Sequence, residues 1–95
     1  MRDYELTVVF SPEIPEEEIN ASIERVNQYI TQKGGEVTDV NRLGRRKLAY
    51  PINNFRDGNY TLTLLKLDPD QTAKLEKNLK SWEDILRYLL VRTEE

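Results

Sequence analysis

The sequence predicts a single α+β domain over residues 1–95, and three observations lead to this fold class. Four segments carry the apolar pattern of strands, two carry the apolar spacing of helices, and turn-forming residues separate them. A chain of 95 residues buries roughly two-thirds of its unfolded surface, which is enough for one modest core. The six elements therefore belong to one folding unit.

The first strand and the first helix follow from apolar spacing. Residues 3–11 alternate between apolar and polar types and predict a strand, which Pro12 ends. A helix begins at about Pro15, and the glutamates of its first turn complement the helix dipole. Apolar residues spaced four, three and four apart line one face of this helix: Ile19, Ile23, Val26 and Ile30. Gly34 is predicted to end it in a left-handed conformation.

The second and third strands are predicted on either side of a long connection. Residues 36–50 form the second strand, and Gly44 in its middle marks a bulge. Pro51 is predicted to end this strand, and residues 52–58 make the connection of a long hairpin. Residues 59–67 form the third strand, which places on one face Tyr60, Leu62 and Leu64.

The second helix and the last strand complete the order of elements. Asp68 is predicted to cap the helix, with Pro69 at its first position, and its buried stripe consists of Thr72, Leu75 and Leu79. Residues 85–92 are a strand dense in apolar residues. The order strand, helix, strand, strand, helix, strand is that of the ferredoxin-like split βαβ fold. It implies an antiparallel sheet with both helices on one face, and with the second and fourth strands at its edges.

The composition argues against an enzyme. The chain has no cysteine and no histidine, so the commonest catalytic base and the commonest metal ligands are missing. No apolar stretch approaches the roughly 20 residues of a membrane span, and the N-terminus lacks an export signal. We therefore expect a cytoplasmic binding or scaffold protein without catalytic residues, metal, cofactor or membrane contact, which is a monomer when isolated.

The net charge of −3 does not reveal that positive and negative residues are separated along the chain. Every charged residue between Val40 and Arg56 is positive, and every charged residue from Ser11 to Glu24 is negative. A local field of this kind can steer a polyanion to one part of an acidic protein.

Arg45, Arg46 and Lys47, named the basic ridge from here on, carry the most informative charges. Arginine donates in a planar fork that matches phosphate, and Tyr50 adds a ring on which a base could stack. Two other interpretations stay open. Positive charge also protects an edge strand from aggregation, and tyrosine is also common as a half-buried core residue.

The segment Leu43–Ile52, with its Gly-Arg-Arg-Lys-Leu-Ala-Tyr-Pro-Ile, resembles the signature of the family of the sixth protein of the bacterial small ribosomal subunit. The resemblance covers nearly the whole chain and includes Tyr4-Glu5, the Gly58-x-Tyr60 pair and the segment Ile85–Arg92. It implies a structural ribosomal protein, in a bacterium or an organelle. Its RNA target would be the central domain of the small-subunit ribosomal RNA, and its partner the eighteenth small-subunit protein.

The resemblance and the charges together give the candidate sites. The expected RNA-binding residues are Arg2, Arg42, Arg45, Arg46, Lys47, Tyr50, Arg56 and Arg87. The expected partner-binding residues lie in the hairpin and are Asn53, Asn54 and Phe55. Trp82 departs from the family pattern, and it is interpreted either as a cap on the core or as a partner-facing residue.

Three other functions occur on the same fold. An acylphosphatase needs a glycine-rich, arginine-bearing loop after the first strand, and Ser11–Ile14 has neither residue. An RNA-recognition motif needs an aromatic signature in its third strand, which Asp57–Leu62 lacks. A small-molecule-binding regulatory domain remains as a fold-level analogy.

Overall fold

The elements occur in the predicted order in a computed structural model, which describes residues 1–93. Their bounds are β1 Arg2–Phe10, α1 Glu16–Gln32, β2 Glu36–Ile52, β3 Phe55–Leu67, α2 Thr72–Lys80 and β4 Ile85–Arg92. A single 3-10 turn, Pro69–Gln71, precedes α2. The carboxylate of Asp68 accepts a hydrogen bond from the backbone N–H of Asp70 at 3.3 Å, so the predicted cap holds this turn rather than α2 itself.

The four strands form one antiparallel sheet in the order β2-β3-β1-β4, which confirms the predicted fold class. One face of the sheet is covered by the helices. The core between them contains the predicted helix residues except Thr72, together with alternate residues of β1 and β3, among them Leu6, Phe10, Ile19, Ile30, Leu65, Leu67, Leu75 and Leu79. Thr72 is only half-buried, because its hydroxyl donates to the Pro69 carbonyl oxygen at the exposed start of α2. The other face, called the open face below, carries Tyr60, Leu62 and Leu64 from β3.

Gly44 forms the predicted bulge in β2. Arg42 lies opposite Thr61 and Gly44 lies opposite Tyr60, so β2 has one more residue than β3 at this point. The φ angle of Gly44 is +86°, which glycine adopts without the steric cost of a side chain. A bulge increases the local twist and bends the strand. It therefore redirects the basic residues that follow it.

The predicted long hairpin connection is wrong, because β2 and β3 continue to a tight turn. Ile52 pairs with Phe55, and the turn consists of Asn53 and Asn54 with φ angles of 51° and 69°. Two positive φ angles are required for the hairpin turn that matches strand twist, and asparagine tolerates them. Pro51 does not end β2 because this is an edge strand, in which a missing backbone N–H is tolerated.

Residues 47–57, called the arm below, form the distal part of this hairpin. The pairing is irregular there, since residues 48–51 of β2 face only Arg56 between the pairs Lys47–Asp57 and Ile52–Phe55. The extra residues on β2 bend the hairpin. As a result the arm bends across the end of β1 toward the start of β4, where Phe55 and Leu86 line the same groove.

Gly58 lies where the arm leaves the sheet, and an alanine there is expected to destabilise the fold. An added Cβ would lie 2.5 Å from Val9 Cγ1 and 3.1 Å from the Phe10 carbonyl oxygen. Because Val9 is buried and β-branched, the clash forces the strands apart, at about 1–3 kcal/mol. Urea unfolding of Gly58→Ala measures this cost. An unchanged midpoint would show that the arm does not depend on close approach at this point.

Candidate nucleic-acid interface

The basic ridge follows the Gly44 bulge on the exposed edge of the sheet. Arg45, Arg46 and Lys47 lie opposite Asn59, Gly58 and Asp57, respectively, and all three basic residues are exposed. Because successive side chains of a strand point to opposite faces, Arg46 lies on the face opposite to its two neighbours. The ridge thus presents positive charge on both faces of one bent strand.

The internal contacts of the ridge are weak enough to leave it accessible. Arg45 Nε lies 3.2 Å from Asp57 Oδ2, and the Arg45 side chain remains 59% exposed. Arg46 Nε donates to the carbonyl oxygen of Leu43 at 3.4 Å, which leaves the rest of its guanidinium toward solvent. An exposed ion pair contributes about 0–1 kcal/mol, so a phosphate can replace Asp57 at small cost.

Arg42 has a different environment from the ridge. Its Nη2 lies 2.6 Å from Glu16 Oε1, and its Nη1 donates to Asn20 Oδ1 at 3.2 Å. Both partners belong to α1, and the Arg42 side chain is only 34% exposed. Arg42 therefore joins the edge strand to the start of the first helix, and its charge is largely compensated within the chain.

Tyr50 and Arg56 meet one end of the ridge inside the arm. Together with Lys47 they line a pocket of about 250 Å³, whose walls are completed by Leu48, Ala49 and Pro51. Tyr50 is 54% exposed, which is incompatible with the interpretation as a half-buried core tyrosine. The pocket therefore combines two cations with an accessible ring, which is the combination that suits an unstacked nucleotide.

The other two arginines that were expected to bind RNA, Arg87 and Arg2, lie far from each other. Arg87 of β4 reaches the arm, where its Nη1 donates to Tyr50 Oη at 2.9 Å. Arg2 lies opposite Leu67, whereas Arg45 lies opposite Asn59 on the same strand. At about 3.4 Å per residue along β3, roughly 27 Å separates Arg2 from the ridge. The structure thus brings Arg87 to the candidate site and leaves Arg2 at the far end of the sheet.

The hairpin tip borders an acidic groove that the sequence did not predict. Asn53 and Phe55 line a groove of about 320 Å³ together with four carboxylates, those of Glu13, Glu18, Glu83 and Asp84. Leu86 and Ile14 add apolar surface beside Phe55. The carboxylates come from two distant stretches of the chain, residues 13–18 and 83–84, so only the fold brings them together.

The open face carries a second feature without an assigned function, an exposed apolar surface. Leu64, Leu89 and Val91 are 36%, 54% and 45% exposed, respectively. A pocket of about 160 Å³ lies beside them, lined by Thr7, Val9, Tyr60, Arg87, Tyr88 and Leu89. The sequence indicates this surface through the consecutive apolar residues of β4. A strand with one face in solvent normally alternates apolar and polar residues, so consecutive apolar residues leave some of them exposed.

Trp82 packs partly buried against the core, next to α1. The Arg25 guanidinium carbon lies 4.2 Å from the centroid of its ring, within the range of a cation–π contact. This arrangement favours the core-capping interpretation of Trp82 over the partner-facing one.

Comparison with known proteins agrees with the fold and with the signature segment. A family model described as "Ribosomal protein S6" matches residues 3–92. The chain belongs to the ribosomal protein S6 family. A relative from Caldanaerobacter subterraneus subsp. tengcongensis is named small ribosomal subunit protein bS6. It is 41% identical over 95 residues, and the match covers 100% of both chains. The protein of the same name from Desulforamulus reducens is 37% identical, also with complete coverage of both chains.

A solved structure supports the same family. The crystal structure of the 30S ribosomal protein S6 from Thermotoga maritima superposes with a TM-score of 0.91 at 33% identity, covering 97% of this chain and 87% of that one. Ribosomal protein S6 is a structural protein of the small ribosomal subunit, so membership in the family makes this chain a ribosomal protein and not an enzyme. Within residues 1–93, no helix is long and apolar enough to cross a membrane.

Proposed function

We propose that this S6-family chain binds the central domain of small-subunit ribosomal RNA through the basic ridge and the arm, cooperatively with the eighteenth small-subunit protein. The observation that carries the proposal is the convergence of the ridge with Tyr50 and Arg56 on one exposed, bent hairpin of an otherwise acidic chain. The basic ridge and Arg56 contact the phosphate backbone, and Tyr50 stacks on a base.

The individual residues take unequal parts in this interface. Arg45, Arg46 and Lys47 neutralise phosphates, since they are exposed and weakly paired. Arg56 acts with them from inside the arm. Arg42 and Arg2 are auxiliary contacts, Arg42 because Glu16 already compensates its charge and Arg2 because of its distance from the ridge.

The partner docks at the hairpin tip and over the acidic groove. Asn53 and Asn54 present polar groups at the turn, and Phe55 offers an apolar anchor beside the four carboxylates. A groove of this charge suits an extended basic segment, and complementary charge favours both encounter and correct orientation. The exposed apolar residues of the open face extend the surface that a folded partner would cover.

Equilibrium titration tests the RNA-binding part of the proposal. Labelled central-domain RNA is titrated with the full chain at several salt concentrations, with a duplex RNA of unrelated sequence as the control. We expect the central-domain RNA to bind more tightly, with a log affinity that falls linearly with log salt by about 0.7–0.9 for each phosphate neutralised. Equal binding of both RNAs would contradict a specific role, and a flat salt dependence would contradict the phosphate contacts.

Charge reversal in the groove tests the partner site separately. The double variant Glu13→Lys/Glu83→Lys is expected to weaken binding of the eighteenth small-subunit protein about tenfold, because two exposed carboxylates become repulsive toward a basic segment. Calorimetry without RNA measures this affinity. Glu24→Lys/Glu36→Lys, at two exposed positions outside the lining of the groove, changes the net charge by the same amount and is the control. Equal losses in both variants would mean that the groove is not the docking site.

A further inference from the structure

The position of the arm depends on side chains as well as on strand pairing. Regular pairing between β2 and β3 stops at Lys47–Asp57 and returns only at Ile52–Phe55. Backbone pairing in an irregular stretch constrains a hairpin less than a continuous ladder does. Other contacts must therefore define the direction in which the arm points.

The principal contact joins the arm to the opposite edge of the sheet. β2 and β4 are the two edge strands, and the three spacings between them amount to about 14 Å. Across this distance Arg87 Nη1 donates to Tyr50 Oη at 2.9 Å, and the Arg87 guanidinium carbon lies 5.7 Å from the centroid of the Tyr50 ring. The neighbouring residue of β4, Leu86, lines the groove with Phe55. Arg87 therefore contacts the β2 strand of the arm, and the residue before it lines a groove with the β3 strand.

We infer that Arg87 is a positioning residue, which holds the curled arm in place through Tyr50 rather than binding a phosphate itself. The inference rests on the proposed function only for its effect on RNA, since the ordering of the arm is a property of the protein alone. With Tyr50 held, Lys47 and Arg56 converge on the same pocket. An arm ordered in advance loses less conformational freedom on binding, which increases affinity without any added contact.

Hydrogen exchange of the free protein tests the positioning role without RNA. Tyr50→Phe removes the acceptor and keeps the ring, and Arg87→Met removes the donor and keeps the length of the stem. In each variant we expect the amides of residues 48–56 to exchange about two- to fivefold faster, because an exposed, charge-assisted contact has been lost. The double variant should add little to either single change. Unchanged exchange in the arm would overturn the inference.

RNA titration of the same variants separates positioning from direct contact. Both single variants are expected to bind central-domain RNA about two- to fivefold more weakly, with the salt dependence of the unaltered chain. A salt slope that falls by about 0.7–0.9 in Arg87→Met but not in Tyr50→Phe would show a phosphate contact at Arg87 and would overturn the positioning role. Lys80→Met on α2 is the control for loss of one exposed charge. If the unaltered chain did not bind the RNA, the proposed function would fail, whereas the exchange result would still decide the role of Arg87.

Discussion

Replacing Arg45, Arg46 and Lys47 together with alanine is expected to weaken binding to central-domain RNA by about 100-fold near physiological salt. Each phosphate contact releases about 0.7–0.9 of a counterion, which at this ionic strength corresponds to nearly 1 kcal/mol for each contact. The salt slope should fall by about 2–3 in the same variant. The free energy of unfolding should change by no more than about 1 kcal/mol, since Arg45–Asp57 is the one ion pair of the ridge in residues 1–93 and it is exposed.

The helix α2 offers a matched control for this experiment. Lys74, Lys77 and Lys80 are exposed lysines on the helical side of the protein, and replacing them with alanine changes the net charge by the same amount. We expect this control to retain most of the affinity and nearly the whole salt slope. Equal losses in the two triple variants would mean that total charge governs binding, and an unchanged slope in the ridge variant would refute the phosphate contacts.

RNA affinity is expected to be about 5- to 150-fold higher when the eighteenth small-subunit protein is present, a coupling of about 1–3 kcal/mol. The physical reason is the net charge of −3, which limits what the ridge gains from approaching RNA alone. A basic partner beside the arm enlarges the positive surface and orders the hairpin before RNA binds. Titrating the RNA with each protein separately and with their equimolar mixture measures the coupling.

A substitution at the hairpin tip distinguishes coupling through the arm from simple addition of charge. Phe55→Ala removes the apolar anchor in the groove, so it should reduce the coupling while leaving the salt slope of this chain alone unchanged. Glu76→Ala on α2 lies outside the lining of that groove and serves as the control. The cooperative hypothesis is wrong if this chain binds the RNA as tightly alone as in the mixture.

Much of the fold was predictable because local and long-range preferences agree. The apolar spacing of α1 corresponds to its four buried residues, Ile19, Ile23, Val26 and Ile30. The order of elements predicts the order of strands. The hairpin was the exception, since Pro51 is a strong strand-ending signal and two successive asparagines are a less familiar turn than Asn-Gly. The edge position of β2, which the order of elements had predicted, decided the outcome, because an edge strand tolerates the N–H that Pro51 lacks.

The candidate site was predictable where its residues are neighbours in sequence. The ridge and Tyr50 lie within one short stretch of β2, so charge and spacing revealed them together. The acidic groove combines Glu13, Phe55 and Glu83, and no local pattern connects these positions. The contact between Arg87 and Tyr50 likewise depends on how far the arm curls, which follows from the irregular pairing after Lys47.

The central position of β1 has a consequence for how the protein reaches this structure. β1 pairs with β3 on one side and with β4 on the other, so that Tyr4 lies opposite both Leu65 and Arg92. During synthesis, β1 therefore gains its second neighbouring strand only after β4 has been made. Contacts this distant in sequence carry a large loop-closure entropy, and proteins rich in them fold slowly. Completion of the sheet is thus a late step of folding, because β1 lacks one of its neighbours until β4 has been made.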